Sequence, residues 1–203
     1  MNTIILASGS PRRKKLLEQL GLPFQVHPSL VNEQYDPTLP PQKIVQNLAQ
    51  RKARDVAQKF HDALIIGADT IVAYNKEILE KPGTKDEARS MLRQLSDNTH
   101  SVFTGVALCL RGRDSKKPRQ RTFFEETKVS FGTIADQDIR RYVESGSPMD
   151  KAGAYGIQDA YGSIFVKSIE GDYNTVVGFP LHRFYRVLQN FAPEYLVPAK
   201  NLR

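Results

Sequence analysis

Cysteine occurs once among the 203 residues, at Cys109. No internal disulfide is open to the chain, and a zinc site would lack a second thiolate. Cys109 lies in the apolar run Val106 to Leu110 and reads as a small buried hydrophobe. Both points favour a reducing, cytoplasmic compartment. Long apolar runs are missing too: none approaches the ~20 residues that cross a bilayer, so no membrane is expected as a partner. Met1-Asn2-Thr3 leads straight into a strand-like run, with no basic stretch or cleavage site, and no secretory leader is expected. His27, His61, His100 and His182 fall in neither HxH nor HExxH spacing. The GxxxxGK[ST] loop, the GxGxxG turn and the G-x-S-x-G elbow are all absent, although Ser8 and Ser10 sit in a tight turn.

Acidic residues are fewer than basic ones, 22 against 29, for a net charge of +7. An excess of that sign invites a nucleic-acid reading. Its location weakens that reading. Arg111, Arg113, Lys116, Lys117, Arg119 and Arg121 oppose Asp114 alone, so one short stretch carries +5 of the total. No RNP-like aromatic motif or zinc-knuckle spacing accompanies it. A solvated hairpin tip is the simpler reading, and nucleic acid is not expected as a partner.

No repeat, low-complexity tract or linker divides the chain, so residues 1–203 are read as a single domain. Ile4 to Ala7 suits a buried strand. Ser10 then offers an N-cap, Pro11 a first helical position, Leu16, Leu17 and Leu20 an apolar stripe, and Gly21 a stop. A second strand is expected over Phe24 to His27, followed by a loop through Asn32-Glu33-Gln34. Helical spacing runs from Pro41 to about Phe60, and Leu64 to Val72 reads as a strand covered on both faces. Asn75-Lys76 predicts a hairpin turn into Ile78-Leu79, and Thr84 with Glu87 a capping box for a helix ending near Leu95. Two long strands, Val102 to Leu110 and Phe123 to Phe131, flank the basic stretch. A short helix near Asp136 to Glu144, a strand over Ser163 to Ile169 and a helix from Pro180 to about Phe191 complete the reading. Early alternation of strands and helices with a hairpin in the middle argues for an α/β fold with a mixed sheet.

Three features carry candidate chemistry. A helix beginning at Ser10-Pro11 presents unpaired N–H groups, and Arg12 with Arg13 in its first turn opposes the macrodipole by up to ~1 kcal/mol unless an anion binds there. Asp69 interrupts the apolar run Leu64 to Val72 and is costly to bury unpaired, so it is matched by a cation or a metal, opens onto a cleft, or caps a turn. Lys52 shares the apolar stripe of its helix, spaced three from Ala49 and four from Leu48 and Val56. Taken alone it is read as snorkelling to the edge rather than pointing into a polar cavity. Lys81 and Glu33 carry no signal by themselves. Any metal would be a hard cation held by oxygen ligands, Asp69 and Glu33 with substrate phosphates.

The blocks Leu6-Ala7-Ser8-Gly9-Ser10-Pro11-Arg12-Arg13, Gly67-Ala68-Asp69-Thr70 and Glu80-Lys81-Pro82 together resemble the Maf family of nucleoside triphosphate pyrophosphatases. So do Asp150 to Gln158 and Asn174 to Leu181, all in family order. The resemblance implies a mixed twisted β-sheet flanked by helices, with two lobes around a deep cleft. It implies hydrolysis of the α–β anhydride with a divalent cation, Mg²⁺ or Mn²⁺, and Asp69 as the proton acceptor. By the same matching Ser8, Arg12 and Arg13 would bind substrate phosphate, Lys52 and Lys81 would act at the catalytic end, and Glu33 with Asp69 would hold the metal. Whether Asp69 is base or metal ligand stays open.

Arg12, Thr70 and Gln158 resemble the branch acting on dTTP and UTP, with modified pyrimidine nucleotides as a further substrate class. The Gln158 amide can donate to a base carbonyl and accept from the ring N–H, but a flipped amide would suit cytosine equally well. Something must fix it, and Thr70 is the candidate. A homodimer is compatible with the resemblance, as is a link to arrest of cell division. A non-catalytic nucleotide-binding regulator and a nucleic-acid module using residues 111–121 are the competing classes. A carboxylate facing a polyanion favours the enzyme.

Overall fold

A computed structural model describes residues 3–112 and 118–196. Seven strands form one mixed sheet, in the order β2-β1-β3-β5-β6-β7 with β4 paired to β3. Its strands are β1 (Thr3–Leu6), β2 (Phe24–Val26), β3 (Ala63–Tyr74), β4 (Glu77–Leu79), β5 (Thr99–Arg111), β6 (Arg119–Phe131) and β7 (Val166–Glu170). β1 lies parallel to both β2 and β3, whereas β4 on β3 and β7 on β6 are antiparallel. Parallel pairs demand crossovers, which α1 (Pro11–Glu18) and α2 (Pro41–Ala57) supply. The mixed α/β class expected from the sequence is the class observed.

The described residues divide into two compact units. One comprises residues 3–69, 104–112, 118–125 and 178–196, the other 70–103 and 126–177. In the first, α2 turns Ala49, Ala53 and Val56 onto Ile5, Ile65 and Cys109, all fully buried. Each large aliphatic side chain so buried contributes about 1.5–3 kcal/mol. Helix α7 (Leu181–Phe191) adds Phe184 and Leu188 to the buried set. In the second unit α3 (Lys85–Leu95) buries Ala88, Leu92 and Leu95, and α4 (Asp136–Glu144) buries Ile139, Tyr142 and Val143.

Local signals act where they were expected. Ser10 caps α1, Gly21 takes a positive φ of 64°, and Asn75 and Lys76 both adopt positive φ in the β3–β4 hairpin. Four expectations need correction. At α3 the Thr84 hydroxyl accepts from the Glu87 amide, but the Glu87 carboxylate accepts from Gly83 N at 2.7 Å, one residue before the box position. Ser163 to Phe165 belong to a helical turn, α5 (Gly162–Phe165), and only Val166 onward is strand; a short apolar run does not distinguish the two. A short helix, α6 (Tyr173–Val177), occupies a stretch given no element. The basic stretch is not all solvated tip. Arg119 donates to Phe191 O at 2.7 Å and lies 5.0 Å over the Phe191 ring, and Arg111 donates to Ala57 O at 3.3 Å. Arg113, Lys116 and Lys117 lie outside the described residues.

Candidate active site

Close backbone approach sets the geometry of the first unit. A Cβ on Gly67 would lie 2.2 Å from Ala49 O and 2.8 Å from Ala53 N, and one on Gly105 would lie 2.4 Å from Val45 O. Hydrogen at both positions lets α2 lie directly on β3 and β5. Gly67 and Asp69 share one face of β3, because side chains alternate along a strand. The face that admits α2 therefore also turns Asp69 toward it. Lys52, between Ala49 and Ala53, meets the carboxylate there: Nζ is 2.6 Å from Asp69 Oδ1. Both residues are buried, and the lysine does not snorkel. The cation match required by the burial of Asp69 is thus met by Lys52.

Lys52 Nζ also lies 2.7 Å from Glu33 Oε1, so two carboxylates converge on one ammonium. Glu33 is exposed on its loop, yet α2 fastens that loop on both sides. Arg51 donates to Gln34 O at 2.6 Å and also to Asn32 O. One turn later Asp55 accepts from Ser29 Oγ at 2.9 Å and Leu30 N at 3.1 Å. These hydrogen bonds hold the Asp55 carboxyl below its usual pKa. Neither Arg51 nor Asp55 carried a sequence signal, since each is an ordinary polar residue on the outer side of an amphipathic helix.

At the start of α1 the Arg13 guanidinium is held between two partners. Nη1 donates to Ser8 Oγ at 3.1 Å and Nε to Gly178 O at 3.0 Å. Burial lowers the Arg13 pKa, while the nearby charges of Asp69 and Glu33 act in the opposite direction and Arg12 adds to the lowering. Arg12 is half-buried beside it. Ser8, Arg12, Arg13, Glu33, Lys52 and Asp69 all belong to the first unit.

Thr70, Lys81 and Gln158 belong to the second unit. Thr70 follows Asp69 on β3 and so faces the opposite side of that strand. Lys81 is exposed between β4 and α3, beside a buried Pro82. Gln158 is exposed, and its Nε2 donates to Asp159 Oδ1 at 3.0 Å. The other Asp159 oxygen, Oδ2, accepts from Ser147 Oγ at 2.6 Å and Tyr142 Oη at 2.7 Å, with Lys151 Nζ at 3.3 Å. Burial alone would raise the Asp159 pKa, but these donors and the Lys151 charge hold it below the ordinary value. The same burial and the Asp159 charge push the Tyr142 hydroxyl up, so it stays protonated and donating.

Among the described residues no group of three or more His, Cys, Asp or Glu side chains is arranged to hold a metal ion. Glu33 and Asp69 still fit a hard cation in one specific sense. They are oxygen donors that already converge on a positive charge, and Mg²⁺ commonly takes one or two carboxylates and completes its shell with water and substrate phosphates. Among the described residues no helix is long and apolar enough to cross a membrane.

Residues 3–191 match the family described as Maf-like protein. The chain is 52% identical over 189 residues to a curated dTTP/UTP pyrophosphatase of Halalkalibacterium halodurans, covering 93% of this chain and 96% of the relative. It is 49% identical to the protein of that name from Salinibacter ruber, covering 92% and 89% respectively. For the Bacillus cereus protein, also named dTTP/UTP pyrophosphatase, the identity is 48% and the coverage 94% and 96%.

Proposed function

Because the chain belongs to the Maf family, we propose that it hydrolyses dTTP and UTP to the monophosphate and pyrophosphate. The observation that supports this reading most is the buried Lys52–Asp69 pair, with Arg13 fixed nearby and Glu33 on the same ammonium. A site that only bound a triphosphate would gain nothing from a buried carboxylate turned toward a polyanion.

In this reading Ser8, Arg12 and Arg13 hold phosphate oxygens at the start of α1, and Lys52 and Lys81 offset the remaining negative charge. Arg13 is suited to that task because its guanidinium is already tied to Ser8 and Gly178 and needs no reordering when substrate arrives. Water attacks the α-phosphorus of the α–β anhydride, its oxygen forming the new P–O bond. Its proton passes to Asp69, whose Oδ2 is the oxygen not bonded to Lys52. The P–O–P bond breaks, and pyrophosphate leaves with the electron pair of the bridging oxygen. A base so placed contributes ~10²–10⁴-fold. A divalent cation held by Glu33 and Asp69 would supply further positive charge toward the triphosphate. Gln158, with Thr70 and Arg12, reads the base. The lone buried Cys109 suits a cytoplasmic setting.

The test is a substrate panel. Purified protein with Mg²⁺ or Mn²⁺ is given each triphosphate in turn, and pyrophosphate is measured. dTTP and UTP are expected to be cleaved best, with CTP about a hundredfold slower, the cost of one mismatched buried polar pair. Preference for a purine triphosphate, or release of orthophosphate, would overturn the proposal.

A further inference from the structure

Thymine and uracil present a carbonyl acceptor beside a ring N–H donor, whereas cytosine presents an amino donor beside a ring-nitrogen acceptor. A glutamine amide matches either edge, but in opposite orientations. Gln158 can therefore discriminate only if its amide is prevented from turning over.

The second unit carries the means to prevent it. Gln158 Nε2 is 3.0 Å from Asp159 Oδ1, and an ionised carboxylate only accepts, so the NH₂ end must face it. Turning the amide over would set two acceptor oxygens against each other at hydrogen-bond distance. The carboxylate is itself immobilised. Its Oδ2 takes Ser147 Oγ at 2.6 Å and Tyr142 Oη at 2.7 Å, which leaves Oδ1 directed at Gln158. Tyr142 also accepts from Gly156 N at 3.0 Å, tying the arrangement to the turn that carries Gln158. Room for it comes from Gly156: a Cβ there would lie 2.7 Å from Gln158 Nε2 and 2.8 Å from Asp159 Oδ2.

We propose that Asp159 is a positioning residue for base selection, holding the Gln158 amide in one orientation and so excluding cytosine in favour of thymine and uracil. This rests on Gln158 reading the base. One N–H of Nε2 is spent on Asp159, the other donates to the base carbonyl, and Oε1 accepts from the ring N–H.

The experiment measures kcat/KM for dTTP and CTP in the wild type, in Asp159→Asn and in Gln158→Ala. In Asp159→Asn the amide oxygen would take the place of Oδ2 beside the Ser147 and Tyr142 hydroxyls, so its NH₂ would face Gln158 and favour the turned-over amide that suits cytosine. The dTTP/CTP ratio is expected to fall about tenfold or more in D159N, through a gain on CTP and not an equal loss on both. A general structural defect would lower both substrates together. An unchanged ratio in D159N, with the ratio collapsing in Q158A, overturns the role of Asp159 while leaving Gln158 as the base reader. An unchanged ratio in Q158A overturns the reading of Gln158 itself, and Asp159 with it. Should D159N fold poorly, the wild type alone decides. In ¹⁵N-labelled protein, with the Gln158 side-chain amide assigned by its loss in Q158A, one Hε2 proton is expected well downfield of its partner. A solvent-like pair of shifts overturns the proposal.

Discussion

The Lys52 ammonium lies 2.6 Å from Asp69 Oδ1 with both side chains buried, while its second partner, Glu33, is exposed. The asymmetry has a consequence for stability. Lys52→Ala leaves the buried Asp69 carboxylate without its closest cation and is expected to lower stability by about 3 kcal/mol. Asp69→Asn leaves Lys52 paired to Glu33 and is expected to cost clearly less. Urea unfolding of the two variants checks the order, and equal losses would contradict it.

Helix α2 rests on hydrogen, not on a side chain, at Gly67 and Gly105. The atoms a methyl would strike are backbone atoms of α2, which cannot swing aside. Gly67→Ala and Gly105→Ala are each expected to destabilise by roughly 1–3 kcal/mol, the usual cost of overpacking. Both should also lower kcat, because displacing α2 carries Lys52 away from Asp69. A stable variant with full turnover would show that the helix position is not what sets the pair.

Arg51, the neighbour of Lys52 in α2, fastens the backbone on both sides of Glu33. Arg51→Ala should free that loop. On the proposed role of Glu33 as a metal ligand, the expected result is about a tenfold rise in the Mg²⁺ concentration that gives half-maximal rate, with little change in overall stability, as for exposed contacts generally. A metal titration at saturating dTTP is the measurement.

His100 is buried against Phe131 and Tyr155, with Nε2 2.7 Å from Tyr155 Oη and Nδ1 without a partner. Burial lowers its pKa to about 4. A folded-state value below the ordinary ~6.5 means that the unfolded chain takes up the proton first as pH falls. The stability tied to a neutral His100 is fully present above pH ~6.5 and declines as pH falls from ~6.5 toward ~4, by on the order of 3 kcal/mol. His100→Gln should flatten the stability profile across that window and nowhere else. Denaturation midpoints at several pH values would show it.

Much of this was legible in sequence wherever the cause is local. Ser10-Pro11 and Gly21 bound a helix, and Asn75-Lys76 make a hairpin, because each acts on its own backbone. Asp69 was legible as a charge out of place in an apolar run, and its partner was nearly so. Lys52 stood in the apolar stripe of α2, but the helix alone favours snorkelling. Only the fit of α2 on Gly67 turns the side chain inward. Arg51, Asp55 and Asp159 were not legible. Their roles depend on which loop or side chain the fold sets beside them, and in sequence each is an ordinary polar residue with nothing to mark it. The strand expected at Ser163 failed because Ile164 and Phe165 suit a turn of helix as well as a strand, and Ile164 is exposed there.

The central claim is that the Asp69 carboxylate, held by Lys52, takes the proton from the water that cleaves the α–β anhydride. The most direct test is ³¹P NMR of dTTP with Mg²⁺ in the presence of wild type or folded Asp69→Asn. Wild type should give dTMP and pyrophosphate, and the variant should be slower by ~10²–10⁴-fold. A folded D69N that releases pyrophosphate at a near-normal rate, or a wild type that yields dTDP and orthophosphate, would contradict it.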